Sequence, residues 1–175
     1  MKSGILALSL FIFVFSYPVY AGDDTASAGD ALRYLLPVMA AGMTLLHHDA
    51  PGALQFGKSS VLAAGAAYGL KQTINEQRPN GGDHSFPSGH AAISFSSAEF
   101  IRKRYGCNSG CPAYVAAVVV GVSRVESREH FLHDVLAGAA IGIASSATFT
   151  HPYKGWYIIS EGNTKGFGML LTRLW

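Results

Sequence analysis

The stretch HSFPSGHAA, residues 84–92, decides how the rest of the sequence is interpreted. Pro and Gly indicate a turn, Ser88 is a common helix N-cap residue, and the apolar run that follows, residues 91–101, is typical of a helix. Ser88, Gly89 and His90 are then expected at a helix N-terminus, where backbone N–H groups lack intrahelical partners and the macrodipole favours anions. The stretch predicts either a phosphate-binding helix start or an ordinary capped helix.

Five helices are predicted around this turn, so the expected fold class is mainly α, a helical bundle. The second helix carries a run of small residues, 63–67, that allows close helix contact, and the fourth begins at Pro112, which is tolerated in a first turn. The tail alternates around turn residues and predicts a short C-terminal β-hairpin with strands 156–160 and 168–175. The predicted helices span residues 30–47, 54–76, 88–104, 112–122 and 130–149.

The N-terminus has the layout of a secretory signal peptide. Lys2 precedes an apolar run, residues 4–15, and the segment closes on Val-Tyr-Ala before an acidic pair. Cleavage after Ala21 would leave a single domain, residues 22–175, which is long enough for a sizeable core. An uncleaved membrane anchor is the alternative interpretation of the same segment.

Charge is scarce in this sequence and argues against nucleic acid as a partner. Charged residues make up 14% of the chain, the net charge is +2, and no basic stripe alternates with aromatic residues. Nothing in the pattern indicates an obligate protein partner. A membrane surface is the partner that a chain of this composition favours.

The predicted helices are short for membrane spans. Only 11 residues separate His90 from the basic cluster 102–104, and at about 1.5 Å per residue they cannot cross a hydrocarbon core about 30 Å thick. We therefore expect an exported, periplasmic domain that rests on a membrane surface. The alternative is an integral inner-membrane bundle whose active site faces the periplasm.

Two cysteines, Cys107 and Cys111, fall in a predicted loop between two helices. In an oxidising compartment such a pair can close a small ring. A C-x3-C metal site is the alternative, but suitable partner ligands are not close in the sequence. We predict a disulfide.

Several charged residues have spacings that suit catalysis. Lys71 and Arg78 are two helical turns apart and share a face if the helix runs that far. His130 and Asp134 are four apart on a predicted helix, so the carboxylate can reach one imidazole nitrogen and leave the other free. Taken singly, Lys71, Arg78 and Arg124 are better explained as solvated surface charges, and His130 with Asp134 as an ordinary helix pair.

Taken together, the residues form three linked motifs: Lys-x6-Arg-Pro at 71–79, Pro-Ser-Gly-His at 87–90, and Ser-Arg-x5-His-x3-Asp at 123–134. Their order and spacing resemble the signature of the type 2 phosphatidic acid phosphatase (PAP2) family. That family shares its core with bacterial class A acid phosphatases and vanadium haloperoxidases. The resemblance covers residues 54–149, and the short bridge between the motifs looks most similar to small exported bacterial members.

The resemblance implies a phosphatase that needs no metal and no other cofactor. It implies that His130 attacks phosphorus and becomes a phosphohistidine, that Asp134 orients His130, and that His90 protonates the leaving group. Fixed cations and N–H groups would stabilise the transferred phosphoryl group, and a zinc site among the histidines is disfavoured because the same cations repel a metal. The implied phosphate-binding residues are Lys71, Arg78, Ser88, Gly89 and Arg124.

The expected substrate is a phosphorylated lipid, such as phosphatidate, a polyprenyl diphosphate or a lipid A type molecule. The apolar flank of the third helix and the small-residue helices suit an amphiphilic substrate. The first alternative is an acid phosphatase for small soluble monoesters. The second is a vanadium haloperoxidase, a class whose chains are much longer than this one.

Overall fold

The computed structural model describes the backbone of residues 23–153, 156–163 and 166–173 and the side chains of residues 27–153. The mainly helical prediction is confirmed in this part of the chain. The predicted signal peptide, residues 1–21, lies outside it and stays a prediction. The helices are α1 (Asp23–Leu46), α2 (Ala50–Thr73), α3 (Gly89–Tyr105), α4 (Cys107–Glu126) and α5 (Leu132–Phe149).

Two strands follow the helices in the region where a hairpin is predicted. Strand β1 (Trp156–Asn163) pairs antiparallel with β2 (Gly166–Arg173), and Trp156 lies opposite Arg173. The side chains of these strands are outside the described residues. The fold is therefore assigned on the helices alone.

Helix α3 is the centre of the bundle and contacts α1, α2, α4 and α5. The small alanine and serine side chains of α3 allow neighbouring helices to pack closely, and α5 packs against them through glycines. A Cβ at Gly138 would lie 2.3 Å from the Ser88 carbonyl oxygen, and one at Gly142 would lie 2.2 Å from that of Ala92. Helix α5 therefore rests directly on the start of α3, which brings the second and third motifs together.

The predicted turn before α3 is present. Ser88 is the N-cap residue, is fully buried, and accepts a bond from the Ala91 N–H at 3.4 Å. Its own N–H donates to the Asp134 carbonyl oxygen at 3.0 Å. The helix ends at Gly106, whose φ of +92° suits glycine and no other residue well.

The helix boundaries correct several predictions. Helix α1 begins at Asp23 rather than residue 30, and α4 begins at Cys107 rather than at Pro112, which lies inside it. The first turn of α4 packs on α3, since a Cβ at Gly110 would lie 2.2 Å from the Arg102 Cα. This contact outweighs the local helix-start signal of the proline. Both cysteines thus belong to one helical turn. They form a disulfide there, and their Cα atoms are 5.0 Å apart.

The two loops at the Ser88 end of the bundle also differ from the prediction: the α2–α3 connection is longer, and the α4–α5 connection is shorter and shifted toward the C-terminus. Helix α2 ends at Thr73, so Arg78 lies in a loop and not on the helical face of Lys71. Helix α5 begins at Leu132, so His130 precedes it. The side chain of Asp134 accepts from the Phe131 N–H at 2.9 Å, and this cap stops the helix from extending back to His130.

The helices are long enough to revise the argument against membrane spans. Helices α1 and α2 have 24 residues each and α4 has 20, which correspond to about 36 Å and 30 Å. By length and composition one described helix, α5, is a candidate span. Helices α1, α2 and α4 also turn large apolar side chains outward, among them Val38, Leu46, Val61, Tyr68 and Val118.

The end of the bundle far from the Ser88 turn is closed by a buried ion pair. Arg104 Nε lies 2.7 Å from Asp49 Oδ2, and Arg104 Nη2 lies 2.5 Å from Asp49 Oδ1. The hydroxyl of Tyr105 donates to the same carboxylate at 2.9 Å. The pair fastens the α1–α2 turn to the last turn of α3.

Candidate active site

His130 lies in the loop between α4 and α5 and is 3% exposed. Its backbone N–H donates to the Arg124 carbonyl oxygen at 3.1 Å, and its Nδ1 is 3.5 Å from both Asp134 Oδ2 and Ser85 Oγ. The Ser85 hydroxyl donates to Asp134 Oδ2 at 2.5 Å. The carboxylate is thus fixed beside the imidazole, as predicted, although the two residues do not share a helix.

The surroundings of His130 favour its neutral imidazole. Burial and the nearby cations of Lys71 and Arg78 lower the pKa of His130 to about 4, and the Asp134 carboxylate opposes this only in part. With Nδ1 turned toward the carboxylate, the proton belongs on Nδ1 and the lone pair on Nε2. A neutral imidazole with a free Nε2 is a competent nucleophile.

His90 lies in the first turn of α3 and contacts a residue from α1. Arg33 Nη1 is 2.6 Å from His90 Nε2. Because a guanidinium only donates, Nε2 is the acceptor and the imidazole proton is on Nδ1. That Nδ1 is buried and has no hydrogen-bond partner among the described residues.

Two of the predicted phosphate-binding cations approach from the α2–α3 connection. Lys71, in the last turn of α2, donates to the carbonyl oxygens of His84 at 2.7 Å and Ser85 at 3.2 Å. Arg78 forms an ion pair with Glu129, the residue before His130. Both cations therefore lie on the side of His130.

The third predicted cation, Arg124, is in the last turn of α4 and is 5% exposed. Its Nη2 is 3.0 Å from Asp30 Oδ1, which is also 3.5 Å from Arg33 Nη1. Gly29 permits this approach of α1, because a Cβ there would lie 1.8 Å from Ser123 Oγ. A carboxylate from the first helix thus occupies an anion position between two guanidinium groups.

The start of α3 is open where a phosphate is expected. A Cβ built on Gly89 meets no atom within 4 Å among the described residues. Ser88 is held by its bonds to Ala91 and Asp134. The backbone of the turn is therefore rigid, and the space beside Gly89 can accept a ligand.

The structure brings the predicted site residues into one connected cluster, and it adds residues that the motifs do not contain. The additions are Asp30 and Arg33 from α1, Ser85 beside the nucleophile, and Glu129 on Arg78. A signal existed for the first two, since they are the only charges in residues 30–46 and are one helical turn apart. No comparable signal marks Ser85 or Glu129.

One group among the described residues has the spacing of metal ligands. The ligand atoms of Glu76, His133 and Asp134 all lie within 4.8 Å of one another. His133 Nε2 is 2.8 Å from Glu76 Oε1 and 3.1 Å from Asp134 Oδ1. The group forms an ion-pair network at the rim, and that the reaction needs no metal stays a prediction.

An apolar groove of about 290 Å³ lies between α3, α4 and α5. Two of its lining residues are close to site residues in sequence: Val125 follows Arg124, and Leu132 is two residues from His130. The groove lining includes Phe95, Val118, Val122, Val125, Leu132 and Leu136.

Comparisons with known proteins agree with this geometry. A family model described as the PAP2 superfamily matches residues 52–157. A lipid A 4′-phosphatase of Helicobacter pylori is 30% identical over 89% of this chain and 87% of its own length. A lipid A 1-phosphatase of the same species is 25% identical over 70% of this chain and 69% of its own. The crystal structure of Aquifex aeolicus LpxE has a TM-score of 0.64 at 21% identity and covers 81% of this chain and 92% of that one; the likeness shows a shared fold.

Proposed function

The chain belongs to the PAP2 superfamily and is a phosphatase, and we propose that it removes a phosphate group from a phosphorylated lipid through a phosphohistidine intermediate. The family resemblance inferred from the three motifs is confirmed by the match over residues 52–157. The observation that carries the mechanism is the buried His130, whose Nδ1 faces Asp134 and Ser85. The rest of the proposal is built on that arrangement.

In the first step Nε2 of His130 attacks phosphorus and the bond from phosphorus to the leaving oxygen breaks. Asp134 accepts the Nδ1 proton in a hydrogen bond and stabilises the positive charge that develops on the ring. His90, once protonated, gives its proton to the leaving oxygen. The products of this step are a phosphohistidine and the dephosphorylated lipid.

In the second step a water molecule attacks the phosphohistidine. Neutral His90 accepts the proton of that water, and the P–N bond breaks to release inorganic phosphate and restore His130. Lys71, Arg78 and Arg124 stabilise the charge on the phosphoryl oxygens in both steps, together with N–H groups at the start of α3. Fixed cations supply the charge stabilisation that a metal ion provides in other phosphatases.

Two features favour a lipid over a small soluble ester. The apolar groove includes Val125 and Leu132, which are close in sequence to Arg124 and His130, and its lining suits an acyl or prenyl chain. The outer faces of α1, α2 and α4 are rich in exposed apolar side chains, which indicates contact with an apolar phase. We accordingly propose that the bundle is embedded in a membrane, with the α2–α3 and α4–α5 loops at one face. Phosphatases with lipid substrates in the comparisons support the same substrate class.

The test is the turnover of purified full-length protein in detergent micelles. We expect a higher kcat/KM for phosphate release from lipid A or phosphatidate than from p-nitrophenyl phosphate. We expect no activity in His130→Ala. A quench in alkali, where the P–N bond of phosphohistidine survives, should trap a labelled wild type and no label in that variant. Turnover of p-nitrophenyl phosphate alone would reject the lipid assignment in favour of an acid phosphatase.

A further inference from the structure

The first helix supplies charges to the active site that the three motifs do not explain. Arg33 Nη1 lies 2.6 Å from His90 Nε2, and Asp30 Oδ1 lies 3.0 Å from Arg124 Nη2. The close packing at Gly29 holds α1 against α4 at this level. Arg33 is therefore placed at the reaction centre by the fold and not by a flexible tail.

The cations of the site fall on two sides. Arg78 pairs with Glu129 next to His130, and Lys71 donates to the carbonyl oxygen of Ser85, whose hydroxyl is 3.5 Å from His130 Nδ1. Arg33 instead contacts His90, and Asp30 links it to Arg124. In phosphoryl transfer the attacking and leaving atoms are roughly in line on opposite sides of phosphorus. Because His90 faces the leaving oxygen in the proposed mechanism, Arg33 belongs to the leaving-group side.

In the absence of substrate Arg33 has a weak set of partners. It donates to a neutral imidazole and to the Tyr34 hydroxyl at 2.9 Å, and its nearest carboxylate oxygen, on Asp30, is 3.5 Å away. A substrate anion would compete well for this guanidinium, because charge-assisted bonds are about twice as strong as neutral ones. Movement of Arg33 onto an anion would also free His90 Nε2 to take up the proton that a general acid needs.

We propose that Arg33 is a specificity-determining residue that binds an anionic group carried by the leaving group. The site then favours a lipid with a second negative charge next to the scissile phosphate, of which a lipid diphosphate is the simplest case. The Arg33 side chain is 22% exposed and so can be reached by a substrate. The inference rests on the proposed function, because it requires His90 to face the leaving oxygen.

The test compares two substrates that share one lipid chain, farnesyl diphosphate and farnesyl phosphate, in the same detergent micelles. Initial rates of phosphate release give kcat/KM for the wild type, Arg33→Gln and Arg33→Lys. Lys58→Gln is the matched control. It removes an exposed cation from the first half of α2, whereas Lys71 lies in the last turn of that helix. All variants are first checked for turnover of p-nitrophenyl phosphate.

We expect the wild type to prefer the diphosphate, and Arg33→Gln to lower the diphosphate-to-monophosphate ratio by about tenfold or more, the scale of a lost charge pair. Arg33→Lys should keep part of the ratio, and the control should keep all of it. Equal losses with both substrates, or an unchanged ratio, would overturn the proposal. Failure of the proposed function looks different, since the wild type would then hydrolyse p-nitrophenyl phosphate and neither lipid.

Discussion

At the scale of single residues, the proposed mechanism gives the two histidines different tasks, and the choice of leaving group can distinguish them. His90→Ala should slow the hydrolysis of an alkyl phosphate by about 10²–10⁴-fold, because an alkoxide needs a proton to leave. p-Nitrophenolate leaves without one and should lose much less rate. The measurement is the ratio of kcat/KM for the two substrates. If both lose rate equally, His90 is not the general acid.

The protonation of His130 is a second test at this scale. An ordinary histidine with a pKa near 6.5 is about 90% charged at pH 5.5, whereas burial and the charges of Lys71 and Arg78 lower the pKa of His130 to about 4. Its NMR signal, assigned by comparison with His130→Gln, should therefore stay constant from pH 7.5 down to 5 and change only below that. Lys71→Met should move the midpoint upward. A midpoint of 6.5 in the wild type would contradict the neutral nucleophile.

At the scale of helices, the groove between α3, α4 and α5 is expected to affect kcat/KM for lipid substrates and not for small esters. Val118→Trp fills the groove and should lower kcat/KM for a long-chain lipid phosphate by about tenfold, as loss of apolar contact does. Turnover of p-nitrophenyl phosphate should change less than about twofold, because the phosphate-binding residues are untouched. Val115→Trp is the matched control, since it makes the same change on α4 outside the groove lining. Equal effects of the two substitutions would argue against a chain in the groove.

The same scale shows what the sequence predicts well. The Pro-Ser-Gly-His turn carries a local N-cap signal, and the three motifs have fixed spacings. The start of α3 and the candidate site residues can therefore be identified from the sequence. The start of α4 cannot, because it depends on the tertiary packing of Gly110 on Arg102. The start of α5 is also later than predicted, because the local cap of Asp134 on the Phe131 N–H stops the helix there. Helix α1 contributes Asp30 and Arg33 to the site only because it packs closely on α4 at Gly29. No sequence pattern within α1 predicts that packing.

At the scale of the whole molecule, the chemistry and the main structural ion pair lie at opposite ends of α3. Asp49→Asn keeps the shape of the side chain but leaves the buried Arg104 without its charge partner, so we expect a loss of stability of about 3–5 kcal/mol. Thermal unfolding in detergent measures it, with Glu126→Gln as a control on an exposed carboxylate. The folded variant should retain kcat well below its unfolding temperature. A change in kcat comparable to that of a site variant would show that the two ends are coupled.

The internal oxygen partners of the three cations proposed to bind phosphate have a consequence for turnover. Arg124 rests on Asp30, Arg78 on Glu129, and Lys71 on two backbone carbonyls. A pocket of unpartnered cations would hold inorganic phosphate tightly and stall after each cycle. Here the carboxylates can return to their arginines as the product departs, so they act as built-in competitors of the product. We expect this exchange to keep product inhibition weak and the enzyme working where free phosphate is abundant.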